Sequence, residues 1–244
     1  RTLAGNLDAD PLAERGPAEV ADVARAFNQM QRAIRRHLDE RTQILASISH
    51  DLKTPLTRLR LRVAELDADE RRSKLEADID AMNALVQEGL DYARSTQLRE
   101  ALVPVDLNPL VESIAERAGD LGQDVRVEGR LAAPVRCAPR ALERALQNLV
   151  DNAVKYGDRA RIVLSAEHQQ AHLRIEDDGP GLPSELLNKV FEPFFRAETS
   201  RNRATGGTGL GLAIALNLIQ AQGGRLHLEN GPMRGLVAEI SLPM

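Results

Sequence analysis

Between Leu45 and Leu66 the apolar residues fall at Leu45, Ile48, Leu52, Leu56, Leu59, Val63 and Leu66. Steps of three and four place them on one side of a helix, which predicts an amphipathic helix reaching about Glu65. Upstream a seven-residue repeat begins at Val20. Val20, Phe27 and Ile34 take one seam position and Val23, Met30 and His37 the other; Ile44 and Ile48 carry the seam past Arg41. Such a seam predicts a parallel coiled coil or short helical bundle feeding the next helix, with His37 as a polar position that limits oligomer choice. Pro17 and Glu19 suit its first turn, by preset φ and by charge at the positive end of the helix dipole. Arg1 to Gly16, rich in Gly, Asn, Asp and Pro, reads as connector.

Asp67-Ala68-Asp69-Glu70 predicts a polar turn. A second amphipathic helix then carries Leu75, Ile79, Met82, Val86 and Leu90 and ends near Arg94. Two helices and a tight turn form a hairpin with one apolar face and nothing in the chain to cover it. A second copy would complete a symmetric four-helix bundle, so a homodimer through residues 20–95 is expected. Ser95 to Pro104 reads as linker. Beyond it the texture changes. Strands are predicted at Val103/Val105, Val125/Val127, Ile162–Ala166, His172–Glu176, Arg225–Glu229 and Leu236–Leu242. Helices are predicted over Asn108–Ala118, from Pro139 and Arg140 through Leu142, Leu146, Leu149 and Val150, and over Leu210–Gln222. Partly segregated helices and strands predict an α/β sandwich, one mixed sheet under one helical layer.

The 244 residues leave room for two or three domains. Charged residues make up 28% and aromatics 2%, with no Trp, so the core is aliphatic. A net charge of −4 without a concentrated basic face gives no footprint for nucleic acid. The single cysteine, Cys137, cannot close an intrachain disulfide and reads as a small buried hydrophobe, in keeping with a reducing compartment. No apolar run is long enough to span a membrane. The chain enters mid-pattern at Arg1, which predicts a piece of a longer protein, any membrane segment lying upstream.

Four stretches carry candidate chemistry. Ser49-His50-Asp51-Leu52-Lys53-Thr54-Pro55-Leu56 lies in the long helical pattern, with His50 off the apolar stripe, a carboxylate next to it and Pro55 removing a backbone donor one turn on, which predicts a bend just beyond. An exposed imidazole beside a base looks like chemistry; a solvated surface histidine is the competing reading. In Asn148-Leu149-Val150-Asp151-Asn152-Ala153-Val154-Lys155-Tyr156-Gly157, Asn148, Asn152 and Lys155 share a helix face. Two amides and an ammonium on one face suit phosphates and a hard cation such as Mg²⁺, or else simply face solvent. Asp177-Asp178-Gly179-Pro180-Gly181 follows a strand, where a carboxylate can accept from an exocyclic amine and glycines admit a ligand to the backbone; an ordinary Asp-Gly turn is the alternative. Gly206-Gly207-Thr208-Gly209-Leu210-Gly211-Leu212 opens a helix and can cradle an anion. No Lys-Ser/Thr follows it and no strand directly precedes it, so it is neither a Walker loop nor a dinucleotide fingerprint.

In this order the last three stretches resemble the N box and the first and second glycine boxes of the ATP-binding domain of sensor histidine kinases, the Bergerat-type fold shared with gyrase, MutL and the ninety-kilodalton heat-shock chaperone. Phe191-Glu192-Pro193-Phe194-Phe195-Arg196 resembles the F box, and His50 to Pro55 the H box of the dimerisation and phosphotransfer domain. Pro17-Ala18-Glu19-Val20 and Ala26-Phe27-Asn28-Gln29-Met30 look like the second half of a HAMP signal-relay domain. The implied layout is 1–39 HAMP remnant and coiled coil, 40–97 phosphotransfer hairpin and 98–244 catalytic ATP-binding domain. It implies the cytoplasmic portion of an inner-membrane protein.

By that resemblance the neutral imidazole of His50 attacks the γ-phosphate of ATP while Asp51 accepts or shares the other ring proton. Asn152 with Asn148 would hold Mg²⁺, Lys155 would reach the phosphates, and Asp177 would read the adenine amine. Gly179 and Gly181 would shape the pocket. Gly207, Thr208, Gly209, Leu210 and Gly211 would let a lid, Glu198 to Gly206, fold over the triphosphate. Tyr156 would flank the base, and Arg196 or Arg201 would reach the γ-phosphate. The phosphoryl group would pass to an aspartate of a response regulator. Thr54 matches the position whose hydroxyl orients water for dephosphorylating that regulator, implying a bifunctional kinase and phosphatase. The departures are Asp51 where many relatives have Glu, Asp178 where many have Asn, and Leu236 after Gly235 where a threonine is often seen. A non-catalytic dimeric scaffold with a nucleotide-sensing domain would require a lost asparagine or lost glycines, and none is lost. A phosphatase-dominated enzyme would share every motif.

Overall fold

The computed structural model describes residues 11–67, 69–96, 100–197, 207–232 and 234–244. The first ten residues and the lid stretch Glu198 to Gly206, with Arg201, lie outside the described residues. The fold divides into two compact units, the first up to Val86 and the second from Gln87.

Helix α1 (Ala18–Ala64) fuses the heptad seam and the His50 stripe into 47 residues. It starts at Pro17, whose carbonyl accepts from the amides of Val20 and Ala21, and it carries Glu19 in its first turn. It runs unbroken past Pro55. Helix α2 (Glu70–Ser95) begins where Asp69 Oδ1 accepts from the amide of Arg72 at 2.8 Å, satisfying one of the amides that a helix start leaves open. Arg60 on α1 reaches Asp80 on α2 at 3.2 Å. Leu56, Val63 and Ile79 are buried within the unit, but Leu45, Ile48, Leu52, Leu59, Leu66, Leu75 and Met82 of the predicted faces stay exposed. The N-terminal half of α1 buries Ala24, Asn28 and Gln31, while Val20, Val23, Met30 and Ile34 of the seam are exposed. Asn28 closes back on the segment before the helix, exchanging bonds of 2.9 and 3.0 Å with the backbone of Leu12.

In the second unit a five-stranded sheet runs in the order β2-β4-β5-β7-β6. Its strands are β2 (Asp124–Gly129), β4 (Arg159–Glu167), β5 (Gln170–Asp177), β6 (Arg225–Asn230) and β7 (Leu236–Pro243). Only β2 and β4 pair in parallel, so the sheet is mixed. Strands β4 and β5 form the predicted adjacent pair, with Ile162 opposite Ile175 and Leu164 opposite Leu173. Their alternate residues point into one core with α3 (Leu107–Asp120), α4 (Pro139–Gly157) and α5 (Gly211–Ala221). The other sheet face is polar, with a His172–Glu239 contact of 3.2 Å and an Arg161–Glu176 ion pair, as befits a sheet covered on one side only.

Pro139 stands at the start of α4, where its missing N–H has no intrahelical partner to lose. Asp158 closes that helix in the left-handed region, φ 63. Two elements depart from the sequence expectation. Strand β1 (Val103–Val105) pairs with β3 (Val135–Cys137), which had no visible pattern. The predicted linker from Ser95 is in part structure, because Ser95 is 1% exposed and its hydroxyl accepts from Asn217 Nδ2 at 3.0 Å. Among the described residues no helix is long and apolar enough to cross a membrane.

Candidate nucleotide pocket and phosphoacceptor helix

Helix α4 presents Asn148, Asn152 and Lys155 on consecutive turns toward a cavity of about 340 Å³. Its apolar wall is mostly aliphatic, with Leu149, Ala153, Ile175, Val190, Leu228 and Ala238 beside Phe195. Tyr156, Gly181, Arg196, Gly207, Thr208, Gly209 and Gly211 complete the lining named by the sequence motifs. The Lys155 ammonium stands 5.1 Å from the Tyr156 ring centroid, a cation–π contact. A side chain at Gly207 would collide with that ammonium, and one at Gly211 would stand 3.7–3.8 Å from Asn152 and Asn148. The glycines therefore keep open the space in front of the polar face of α4. Nδ2 of Asn148 is buried with no hydrogen-bond partner among the described residues. Leaving such a group unpaired costs about 1–3 kcal/mol, so this donor points to a ligand.

Asp177 ends β5 and lines the same cavity beside the C-terminal end of α4. Its Oδ1 accepts two backbone amides, from Gly179 at 2.7 Å and from Leu236 at 3.1 Å, which leaves Oδ2 available to a ligand donor. Burial raises its pKa above the ordinary carboxylate value, partly offset by those two bonds. The loop is tightly packed. A Cβ on Gly179 would come within 2.7 Å of Tyr156 O, and one on Gly235, at φ +85, would overlap the carbonyl of Asp177. Gly179 thus braces Asp177 rather than lining the main cavity. Leu210 also departs from its expected role. Its side chain is fully buried in the core ahead of α5, where an apolar residue gains most from burial, and only its backbone belongs to the glycine box.

His50, Asp51 and Thr54 belong to the first unit, whereas the pocket residues belong to the second. The imidazole of His50 is 83% exposed and lies off the buried stripe. Its Nδ1 lies 3.4 Å from Asp51 Oδ1, so Nε2 is the nitrogen turned away from the carboxylate. Thr54 is exposed one turn further on.

Sequence reading missed Glu88 and Asn230, and saw Gly235 and Leu236 only as a departure from the family pattern. Glu88 lines the cavity and accepts from the Thr208 hydroxyl, 120 residues away in sequence. Asn230 exchanges bonds of 2.8 and 2.7 Å with the backbone of Leu182, pinning the first glycine box. Gly235 and Leu236 support Asp177 from β7. Only the glycine of that set carries a local signal, and the rest is long-range contact.

Residues 137–244 match the family described as histidine kinase-, DNA gyrase B- and HSP90-like ATPases, and residues 40–98 match the His Kinase A (phospho-acceptor) domain. The sensor histidine kinase GtrS of Pseudomonas aeruginosa is 43% identical over 243 residues, covering 100% of this chain and 50% of that protein. The sensor histidine kinase CpxA of Escherichia coli is 33% identical over 252 residues, covering 98% and 55%. The chain thus spans about half the length of these curated relatives. Among solved structures, full-length ShkA in complex with AMPPNP is similar at TM-score 0.66 and 27% identity, covering 82% of this chain and 45% of that one. The Acinetobacter baumannii histidine kinase AdeS is similar at TM-score 0.58 and 27% identity, covering 80% and 98%. With a phospho-acceptor domain followed by this ATPase domain, the chain belongs to the sensor histidine kinase family of bacterial two-component systems.

Proposed function

We propose that the chain is the ATP-dependent autokinase core of a sensor, phosphorylated on His50, with residues 40–97 as phosphotransfer hairpin, 98–244 as catalytic domain and 1–39 as HAMP remnant and coiled coil. The observation that carries this reading is the convergence of Asn148, Asn152, Lys155, Asp177 and two glycine boxes on one cavity, in a chain that exposes an imidazole beside a carboxylate on a helix. Asp177 Oδ2 accepts from the adenine amine. Lys155 and the amides around Gly207 and Gly209 meet the phosphates, and Arg196 stands at the same rim. The amide oxygens of Asn148 and Asn152 are hard donors and fit Mg²⁺, which would supply charge neutralisation on the phosphates. The buried Nδ2 of Asn148 then finds an acceptor in the nucleotide.

The transfer step needs positioning and charge neutralisation. The lone pair of His50 Nε2 forms the bond to the γ-phosphorus as the bond to the β–γ bridging oxygen breaks, releasing ADP. The Nδ1 proton stays shared with Asp51, which stabilises the cationic ring as it forms. The phosphoryl group next goes to a response-regulator aspartate. Thr54 orients water for the reverse signal, regulator dephosphorylation. The exposed apolar faces of α1 and α2 pair with those of a second copy. The whole protein is membrane-anchored through segments upstream of this chain.

Incubation with γ-labelled ATP and Mg²⁺ tests the kinase. Acid-labile, base-stable label that disappears in His50→Gln is the expected result; label on another residue, or none, overturns the reading. Thr54→Ala is expected to keep autophosphorylation and lose regulator dephosphorylation, measured by release of phosphate from the phosphorylated regulator.

A further inference from the structure

The last turns of α2, from Gln87, fold with the second unit. Three side chains at steps of three and four fasten them. Glu88 Oε2 accepts the Thr208 hydroxyl, Asp91 Oδ2 meets Arg144 Nη2 at 2.6 Å, and the Ser95 hydroxyl accepts from Asn217 at 3.0 Å. Leu90 and Ser95 are buried along the same turns. Glu88 is therefore a carboxylate on a firmly mounted helix. It lines the cavity and is bonded to Thr208, next to Gly207, whose backbone faces the Lys155 ammonium; these are the groups assigned to the phosphates. A hydroxyl has one proton to donate, and here Thr208 gives it to Glu88. A polyphosphate entering that end meets a like charge in a half-buried site, where screening is weak.

We propose that Glu88 is an autoinhibitory latch: its carboxylate holds Thr208 and competes with the triphosphate for the phosphate end of the pocket. The latch rests on the nucleotide reading above. Triphosphate binding releases the Thr208 hydroxyl from Glu88 and lets it donate its hydrogen bond to a phosphate oxygen instead. Anything that draws the end of α2 away from the pocket raises affinity for ATP without touching the adenine site.

The test is a titration series with adenosine, ADP and ATP, each with Mg²⁺, on the full chain, Glu88→Gln and Glu88→Ala, by calorimetry, with circular dichroism as a folding check. Glu88→Gln keeps the shape and removes the charge. Both variants are expected to bind ATP about tenfold tighter, ADP less so, and adenosine within about twofold of the unaltered chain, since removing the like charge acts on phosphates alone. A gain equal for adenosine and ATP reports general loosening and overturns the latch, as does no gain. A loss of Mg²⁺–ATP affinity overturns it too, by making Glu88 part of the binding machinery. If neither the unaltered chain nor the variants bind adenosine or ATP, the nucleotide reading itself fails and the latch falls with it.

Discussion

Asp177 and Cys137 show how burial sets chemistry one side chain at a time. Asp177 holds its proton more tightly in the folded chain than an ordinary carboxylate, because burial outweighs the amides of Gly179 and Leu236. A raised acid costs stability as pH rises through its folded value, so at neutral pH the ionised group opposes folding and serves binding. Two outcomes follow. ATP affinity should begin to fall, as pH is lowered, at a higher pH than an ordinary carboxylate would dictate, seen in calorimetric titrations across pH. Asp177→Asn, whose amide oxygen still accepts both backbone donors, should melt no lower than the unaltered chain at pH 7 yet bind ATP roughly 10–100-fold more weakly. Cys137 is fully buried, and desolvation with the nearby Glu100 carboxylate pushes its thiol up to about 11. It should resist alkylation in the native chain and react only after denaturant is added, a difference that mass spectrometry resolves.

Among elements, the glycine-bearing turns fix the pocket's shape. At Gly235 the backbone sits at φ +85 directly against the Asp177 carbonyl, so Gly235→Ala meets both conformational strain and overlap. That substitution should destabilise the second unit by roughly 2 kcal/mol or more, read as a lowered denaturation midpoint, and weaken nucleotide binding in parallel. Gly209, at φ +77, is pressed in the same way against the backbone of Phe194 and Phe195, and its carbonyl accepts from the Phe194 amide at 3.0 Å. The boxes were legible in the sequence because each is local: a strand end, two glycines, a helix start. Helices α4 and α5 were legible from their period. Strand β3 was not, because so short a segment becomes a strand only through its pairing, and its partner β1 lies far back in the chain. Glu88 was invisible for the same physical reason, since an exposed-looking charge on an amphipathic helix acquires meaning only through Thr208.

At the scale of the whole molecule, the two units bury their apolar residues very differently. The second has a continuous aliphatic core across sheet and helices. The first leaves Leu45, Leu52, Leu59, Leu75 and Met82 exposed on its helices. The sequence foresaw this imbalance, because a hairpin with one apolar face cannot close on itself. Each such side chain is worth about 1.5–3 kcal/mol when fully covered, so covering the exposed set favours self-association. Leu59→Arg with Met82→Arg should shift the chain from dimer to monomer in sedimentation velocity at micromolar concentration. The melting of the second unit should be left in place. A native monomer before substitution would overturn the bundle.

Pro55 has no amide to offer the carbonyl of Asp51, so the ladder of α1 lacks a rung in the turn that carries His50. A rod with one rung missing can swivel there while both of its ends stay wound. Isotope exchange followed by peptide mass analysis should find faster deuterium uptake around Leu52 to Leu56 than at equally exposed turns near Arg36. Pro55→Ala should slow that uptake, and should also cost turnover if the swivel lets one imidazole serve both a nucleotide and a partner aspartate.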